Sequence, residues 1–555
     1  MSDELRHECA VAMVVLRKPA VAAGDFGGTK LSLLLEKQHN RGQDGAGAAT
    51  LSADPAPGSP PYRIFKSASS TPLADILGMI ARREACRERI FLGHLRYATF
   101  GKNDVAFCHP FVHEASDLGH TLLLAGNFNL TNAAELFEDY SRHGSFPTSR
   151  ADGYLITELI AKQLERGGVA SAVSKALEGA DGAWTLCGMT GDGWAFATRD
   201  PHGIRPGFYY VDDDVVVVAS ERPAIQAAFD VTPEAVKELP TGKALVVSPE
   251  GEVELAGLSP TINAAPRPCS FERIYFSRAN DADIHRERKA LGAALLPQVL
   301  KAADAPLEDI FFSYIPNSAR IAFHGLLERL FEEHGRIRFG EIAVKDAKFR
   351  TFIADAAARR EFYKHVYDVT YGLVKKDDTL VVLDDSIVRG NTMKNAILPM
   401  LDRLGPKRIV IASSAPPIRY PDCYGIDMST LGELVAFKAF VNLMGESAEA
   451  ELREALCAEP SGNPLASLYS RFTDEQYCAE IARLLTPPDM KAEVAVVYQT
   501  VGDLRRCLTP GEGSDGHKLQ IGDWYFTGEY PTPGGYKVLH TAIRHYLEKS
   551  NERSY

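Results

Sequence analysis

The sequence has no C-x-x-C pair. Its nine cysteines stand singly along 555 residues, which excludes a disulfide-rich module and a paired-cysteine metal ribbon. No positively charged stretch followed by an apolar core opens the chain, and no apolar run approaches the roughly 20 residues that span a bilayer. Basic excess is absent too. The net charge is −12, against the basic face that a nucleic-acid binder needs. The Walker loop G-x-x-x-x-G-K-[ST] does not occur, which disfavours a kinase or ATPase. No internal repeat or long low-complexity segment appears. These absences predict a reduced, cytoplasmic protein with neither membrane nor nucleic-acid partner.

What is present is ordinary globular composition, with 45% hydrophobic and 24% charged residues. A chain of this length holds more than one core, since single cores rarely grow beyond about 250–300 residues. To about Leu258 it reads as short apolar strands punctuated by glycine and proline, with helical segments such as LADILGMIARR and YLITELIAKQLERG between them. SPTINAAPRP reads as a linker. Beyond it EDIFFSYIP, DTLVVLDDSI and RIVIASSAP read as buried strands alternating with helices, the pattern of a parallel sheet. The stretch after about Pro487 reads as a tail packed on the rest.

The stretch LVVLDDSIVRGNT, from Leu380 to Thr392, runs a buried strand onto two acids and a small-residue turn. Ligands of open parallel sheets bind beyond the C-terminal ends of the strands. Backbone N–H groups around Arg389 to Thr392, backed by a helix N-terminus, suit a phosphate monoester. Asp384 and Asp385 cannot bind phosphate directly. They suit sugar hydroxyls and, through water, a magnesium ion carrying a diphosphate. For the acids alone a solvated helix cap is the better reading; the register of strand, acid pair and R-G-N-T favours a site.

This run resembles the phosphoribosyl-diphosphate (PRPP) motif of type I phosphoribosyltransferases, and most closely that of the glutamine PRPP amidotransferases. The resemblance implies that Asp384 and Asp385 hold ribose hydroxyls and Mg2+. It places Ser386, Arg389, Gly390, Asn391 and Thr392 around the 5′-phosphate. YIPNSARIA resembles that family's diphosphate loop, with Ser318 beside the metal. SSAPPIRYPDCYGIDMSTLGELVA is a further family-like run.

The N-terminal half agrees with the same family. Cys9 in HECAVAMVVL, by itself a small buried hydrophobe, resembles the N-terminal nucleophile of class II glutamine amidotransferases. Removal of residues 1–8 would free an α-amine to activate the thiol. QHNRGQDGAG resembles the family's early Arg-Gly-Gln loop, with Asn40 where histidine is usual. By the same resemblance Arg96 in GHLRYATFG binds the glutamine carboxylate bidentately. Asn127 in AGNFNLTN donates to the oxyanion, Phe128 offers its backbone N–H there, and Asp152 in SRADGYL binds the α-ammonium. RDPHGIRP, 199–206, is close to the family form. Taken singly, Arg96, Asn127 and Asp152 read more readily as an ion pair, a turn residue and a helix cap.

The sequence departs from the family at several points. Phe128 replaces a glycine, Asn317 replaces an aspartate of the diphosphate loop, and EIAVKDAKFRTFI lacks the Lys-Asn-Arg-Tyr run of the loop that closes over PRPP. Where many relatives ligate an iron–sulfur cluster with four cysteines, this chain offers Cys269, Asp422 (with Cys423 one place along), Gly522 and Tyr525. No iron–sulfur cluster is expected, because one thiolate cannot replace four.

The reading is therefore an α/β protein with an N-terminal αββα Ntn-hydrolase glutaminase domain (9–265) after a propeptide (1–8). A parallel-sheet type I phosphoribosyltransferase domain (266–487) and a tail (488–555) follow. Its expected substrates are glutamine and PRPP, its product 5-phosphoribosylamine, and its assembly a homo-oligomer. Two alternatives stay open: a PRPP- or nucleotide-sensing paralogue without turnover, and an ammonia-dependent transferase with a vestigial glutaminase.

Overall fold

The computed structural model describes residues 8–18, 25–52, 58–83, 88–98, 104–259, 264–345, 367–457, 462–508, 520–550 and 554. Strand Ala10–Leu16 shows how the first half is layered, since all seven of its residues are buried. Successive side chains of a strand point to opposite faces. Ala10, Ala12, Val14 and Leu16 pack with Leu31, Leu34 and Leu35 of helix Phe26–Lys37 and with helices Pro72–Arg82 and Arg222–Phe229. Val11, Met13 and Val15 face the other way, onto Leu123, Ala125, Cys187 and Met189 of a second sheet. The far face of that sheet carries Leu122, Leu124, Trp184 and Phe196 against helices Asp152–Leu164 and Val169–Leu177. Helix, sheet, sheet, helix with three apolar seams is the expected αββα arrangement.

The first sheet has seven strands in the order Lys237–Glu238, Phe208–Val211, Val215–Ala219, Ala10–Leu16, Glu88–Arg96, Gly45–Ser52, Tyr62–Ser67. The second has six, in the order Val253–Gly257, Lys243–Val247, Ala195–Arg199, Gly182–Thr190, Leu122–Leu130, Phe111–His113. Every pairing in both is antiparallel.

The second half is built on five strands in the order Arg338–Phe339, Ile310–Tyr314, Thr379–Asp384, Arg408–Ser413, Glu493–Tyr498, all parallel. Thr379–Asp384 is central and its apolar residues are buried on both faces, as a parallel strand between helical layers requires. The fifth strand corrects the boundary read at 487. Pro487 and Pro488 break the chain only briefly, and Glu493–Tyr498 then completes the sheet, so the domain runs at least to Tyr498. Of the loop 341–353, only Glu341–Lys345 lies within the described residues; Ala343–Lys345 pairs antiparallel with Tyr367–Val369.

Helix Pro533–Leu547 bridges the halves. Val538, Leu539 and Ile543 enter the core of the second. Gly534 N–H donates to Asp181 at 2.9 Å, and Lys537 pairs with Glu135 of the first at 2.8 Å.

Candidate functional site

Cys9 stands one residue before the buried strand Ala10–Leu16. Ala10 is paired with Leu95, which brings the thiol beside the end of Glu88–Arg96. Tyr97 N–H donates to Cys9 Sγ at 3.3 Å. Burial pushes this thiol up to about 11, although the Tyr97 backbone and the Arg96 cation pull the other way. Asp152 and Asp44 also act on its charge. Arg96 is buried, with its guanidinium over the Phe107 ring. Asp152 opens helix Asp152–Leu164 and accepts from Gly153 N–H at 2.9 Å. Burial lifts its carboxyl to about 6, against those backbone N–H groups. Asn127, buried in strand Leu122–Leu130, points its amide at the residue before Cys9, with Nδ2 donating to Glu8 Oε2 at 3.4 Å. Cys9, Arg96, Asn127 and Asp152 are thus drawn to one place from four segments.

Phe128 sits in ordinary strand geometry opposite Trp184, and its φ is not positive. Phenylalanine therefore brings no left-handed backbone strain to this position. Its ring lies 5.4 Å from that of His109 and against Gly153, where an added Cβ would meet Phe128 Cζ at 2.9 Å. The ring therefore occupies space beside Asp152.

Sequence reasoning gave no role to the residues that hold Glu8. Its carboxylate is buried with Arg205 and Arg41, the latter at 3.5 Å. Arg41 also meets Glu221 at 2.7 Å and Glu272 at 2.9 Å. Glu272 belongs to the second half, as does Tyr424, whose carbonyl accepts from Arg205. Asn129 donates to Cys423 O at 2.9 Å across the same seam. Asn40 directs its amide to Glu221 and to Phe276 O, both at 3.5 Å. The glutaminase-like site is therefore walled by the second half. QHNRGQDGAG and RDPHGIRP carried the signal for Arg41 and Arg205, but no local pattern named their partners.

At the other end, Asp384 closes the central parallel strand. Asp385 N–H donates to Asp384 Oδ1 at 2.9 Å, and Ser318 Oγ donates to Asp385 Oδ1 at 2.7 Å. The neighbouring strand's end pins the turn. Ser414 N–H donates to Asp384 O at 2.9 Å and Ala415 N–H to Asp385 O at 3.0 Å. Burial pushes both carboxyls up; the neighbouring Asp385 adds to the rise at Asp384, while hydrogen bonds from Ser318 and with Asp384, and the Arg288 cation, act against it at Asp385. Ser386 Oγ lies 3.4 Å from Asp385 Oδ2. Gly390 has φ +79°, and a Cβ there would meet Leu485 at 2.3 Å, so the turn requires glycine. Asn391 is exposed and Thr392 half-buried at the exit of the loop.

The Arg389 side chain reaches Glu433 at 2.7 Å and the Asp427 carbonyl at 3.0 Å and so braces the loop, whose backbone N–H groups are the ones expected to meet an anion. Helical backbone continues from Asn391 to Asp402, widened by a π turn at Met393–Ile397 before Leu398–Asp402, so a helix N-terminus stands directly behind the loop. Pro399 cannot donate to the regular helical ladder, which fits the widened turn that precedes it.

The four positions matched to a cluster do meet in space. Cys269 and Gly522 form an isolated bridge. Tyr525 OH donates to Asp422 Oδ1 at 2.6 Å and lies 4.0 Å from Cys269 Sγ. The other Asp422 oxygen accepts from Tyr424, Gly425 and Ile426 N–H at 2.9, 2.7 and 2.6 Å. Trp524 fills the room over Gly522, where a Cβ would meet its ring at 1.9 Å. Burial pushes the Cys269 thiol up to about 12. One protonated thiol, one saturated carboxylate and aromatic rings do not fit an iron–sulfur cluster. Among the described residues no group of three or more His, Cys, Asp or Glu side chains is arranged to hold a metal ion. Among them, too, no helix is long and apolar enough to cross a membrane.

Residues 109–227 match the model of a glutamine amidotransferase domain. Amidophosphoribosyltransferase from Archaeoglobus fulgidus is 30% identical over 359 residues, 64% of this chain and 74% of the relative. The Bacillus subtilis enzyme of the same name is 32% identical over 355 residues, 62% of this chain and 69% of the relative. The solved structure of glutamine PRPP amidotransferase from B. subtilis, complexed with ADP and GMP, superposes with a TM-score of 0.67 at 26% identity. That match covers 94% of this chain and 97% of the other. With both halves of the fold and both ends of the site accounted for, the chain belongs to the amidophosphoribosyltransferase family.

Proposed function

We propose that this chain transfers glutamine-derived ammonia to PRPP, giving 5-phosphoribosylamine, glutamate and diphosphate, the first step of de novo purine synthesis. In this reading residues up to Glu8 are removed, leaving a glutaminase domain from Cys9 to about residue 265 and a phosphoribosyltransferase domain after it. Cys9 sulfur attacks the carboxamide carbon and Asn127, with the Phe128 N–H, takes the charge on the oxyanion. The C–N bond breaks, ammonia leaves with the thiol proton, and water cleaves the thioester to glutamate. Arg96 and Asp152 hold the α-carboxylate and α-ammonium. Ammonia then displaces diphosphate at C1 of PRPP, whose ribose hydroxyls Asp384 and Asp385 accept and whose 5′-phosphate the turn from Ser386 to Thr392 surrounds.

The acid pair, which burial pushes toward protonation, fits a magnesium–diphosphate partner, with Ser318 alongside. The ion would neutralise the departing diphosphate. The enzyme is expected to be cytoplasmic, homo-oligomeric and free of iron.

The observation that carries this reading is the hydrogen bond from the Asn127 amide to Glu8, the residue before Cys9, at a seam walled by Glu272 and Tyr424 of the second half. Glutamine- against ammonia-dependent diphosphate release from PRPP tests it. One observation favours a second reading: the Phe128 ring beside Asp152 narrows the space for glutamine, as in a transferase fed by free ammonia. Turnover with ammonia and none with glutamine would select that alternative.

A further inference from the structure

We propose that His94 and His109 are positioning residues for the oxyanion donor: as a stacked pair they clamp both backbone polar groups of Gly126 and so fix where Asn127 points. The inference rests on the glutaminase role proposed above.

The register supplies the reason. Strand Phe111–His113 pairs with Leu122–Leu130 so that Phe111 opposes Leu124. Continued by two residues, the ladder would set His109 opposite Gly126, but the named strand begins only at Phe111. The polar groups of Gly126 on that side would be left without backbone partners, which a buried strand rarely tolerates. Two imidazoles take them. Gly126 N–H donates to His109 Nδ1 at 3.2 Å. His94 Nε2, reaching across from the first sheet, lies 3.1 Å from Gly126 O. The rings stack at 3.9 Å and 6°, with Phe111 and Phe128 against His109 at 4.8 and 5.4 Å. Position 126 cannot brace itself through a side chain. An added Cβ would meet Leu186 at 2.6 Å, Phe128 at 2.8 Å and Thr185 O at 2.8 Å.

The contacts fix both tautomers. A carbonyl only accepts, so His94 carries its proton on Nε2; an N–H only donates, so His109 Nδ1 is bare and its proton is on Nε2. His94 Nδ1 is buried without a hydrogen-bond partner among the described residues, which a neutral ring tolerates better than a charged one. Burial, with Arg96 and Lys66 as the neighbouring cations, pushes His94 down to about 3 and His109 well below its usual value. A proton on His109 Nδ1 would face the Gly126 N–H donor to donor and open the clamp.

The test compares His109→Leu, which removes the acceptor, with His109→Asn, whose side-chain oxygen can stand near the place of Nδ1. Glutamine-dependent kcat is expected to fall about 10–100-fold in His109→Leu, below the 10²–10³ that follows complete loss of an oxyanion donor. KM for glutamine should stay within about threefold, because Arg96 and Asp152 are untouched, and His109→Asn should recover most of kcat. Ammonia-dependent diphosphate release reports that the chain is folded. Wild-type kcat in His109→Leu, or no recovery in His109→Asn, overturns the clamp. Wild-type protein that uses ammonia but hydrolyses no glutamine overturns the glutaminase reading itself, a separate result. Should the variants not fold, 15N NMR of the wild-type imidazoles decides: both Nδ1 atoms unprotonated at neutral pH is expected, and a protonated Nδ1 on either ring refutes the assignment.

Discussion

If Cys9 must be the first residue of the working enzyme, a chain that keeps residues 1–8 should hydrolyse glutamine very slowly, and the structure gives the size of the defect. With Glu8 attached there is no α-amine, and burial holds the thiol at about 11 against an ordinary 9.0. At pH 7.5 that leaves roughly 3 thiolates in 10⁴ instead of about 3 in 100, a factor of about 100 or about 2.7 kcal/mol. Asn127 meanwhile donates to Glu8 at 3.4 Å. An oxyanion donor so engaged forfeits about 10²–10³ in rate. Together the two effects predict a deficit of about 10⁴ or more, a coarse product because the residues of one site do not act additively. The assay compares glutamate release by two preparations. One is retained on an N-terminal affinity tag, so only chains bearing residues 1–8 remain. The other is expressed to begin Met-Cys9, so that removal of the methionine exposes Cys9. Intact mass identifies each. Tagged, full-mass protein releasing glutamate within tenfold of the trimmed form would refute both the α-amine base and the obstruction by Glu8.

Other perturbations address the remaining parts. Asp384→Asn with Asp385→Asn should abolish diphosphate release with either nitrogen source while leaving the melting transition near that of wild type, since the amides keep volume but lose the charge that suits a metal; wild-type release would remove these acids from the site. Cys9→Ser should stop glutamine-dependent turnover and spare the ammonia-dependent reaction, read as diphosphate released from PRPP. Because Asp152 titrates near 6 and must be ionised to hold an ammonium group, kcat/KM for glutamine should fall up to tenfold per unit as pH drops below about 6; a profile flat to pH 5 would contradict that role. Asp422→Ala would strip the partner from three backbone N–H groups and the Tyr525 hydroxyl, at about 1 kcal/mol or more each. Urea denaturation should show a loss of about 4 kcal/mol, and a loss under 1 kcal/mol would mean that water replaces the carboxylate. His94 titrates near 3 when folded and about 6.5 when unfolded, so the unfolded chain binds the extra proton below about 6.5 and stability falls with pH. Wild type should lose about 2 kcal/mol more than His94→Gln between pH 7.5 and pH 5, and equal losses would show that this ring is not held neutral.

Long apolar runs were the legible part of the sequence. Ala10–Leu16 and Thr379–Asp384 are recognisable because they are buried on both faces and contain no polar break. The last strand of the parallel sheet is hidden from the sequence for a related reason. Glu493–Tyr498 follows two prolines, and its membership of the sheet is settled by pairing with Arg408–Ser413 some 85 residues earlier, which no local period records. Cys9, Arg96, Asn127 and Asp152 were picked out through family resemblance, since each residue type alone fits a structural role. The residues that went unassigned act over distance. Arg41 meets Glu272 across 231 positions and Asn129 meets Cys423 across 294. His94 and His109 escaped notice because a buried histidine is usually only a satisfied core residue. Their purpose is visible once the ladder is seen to stop at Phe111.

The charge balance around Glu8 is compatible with the proposed removal of residues 1–8. With Glu8 in place, three buried carboxylates (Glu8, Glu221, Glu272) face two buried guanidiniums (Arg41, Arg205). Removing one partner of a buried pair is usually expensive, because the survivor is left charged and unmatched. Here it would not be. Without Glu8, Arg41 keeps Glu221 and Glu272, while Arg205 keeps the Tyr424 carbonyl and lies 3.9 Å from Glu272. Two cations then face two anions. The seat is also shared, with Arg41, Arg205 and Glu221 from the first half and Glu272 and Tyr424 from the second. Glu8 can be fully seated only in a chain whose halves have already docked. The same docking places Glu272 and Tyr424 as a wall beside the nucleophile. A single buried network thereby ties the exposure of Cys9 and Asn127 to the presence of the domain that would receive the ammonia.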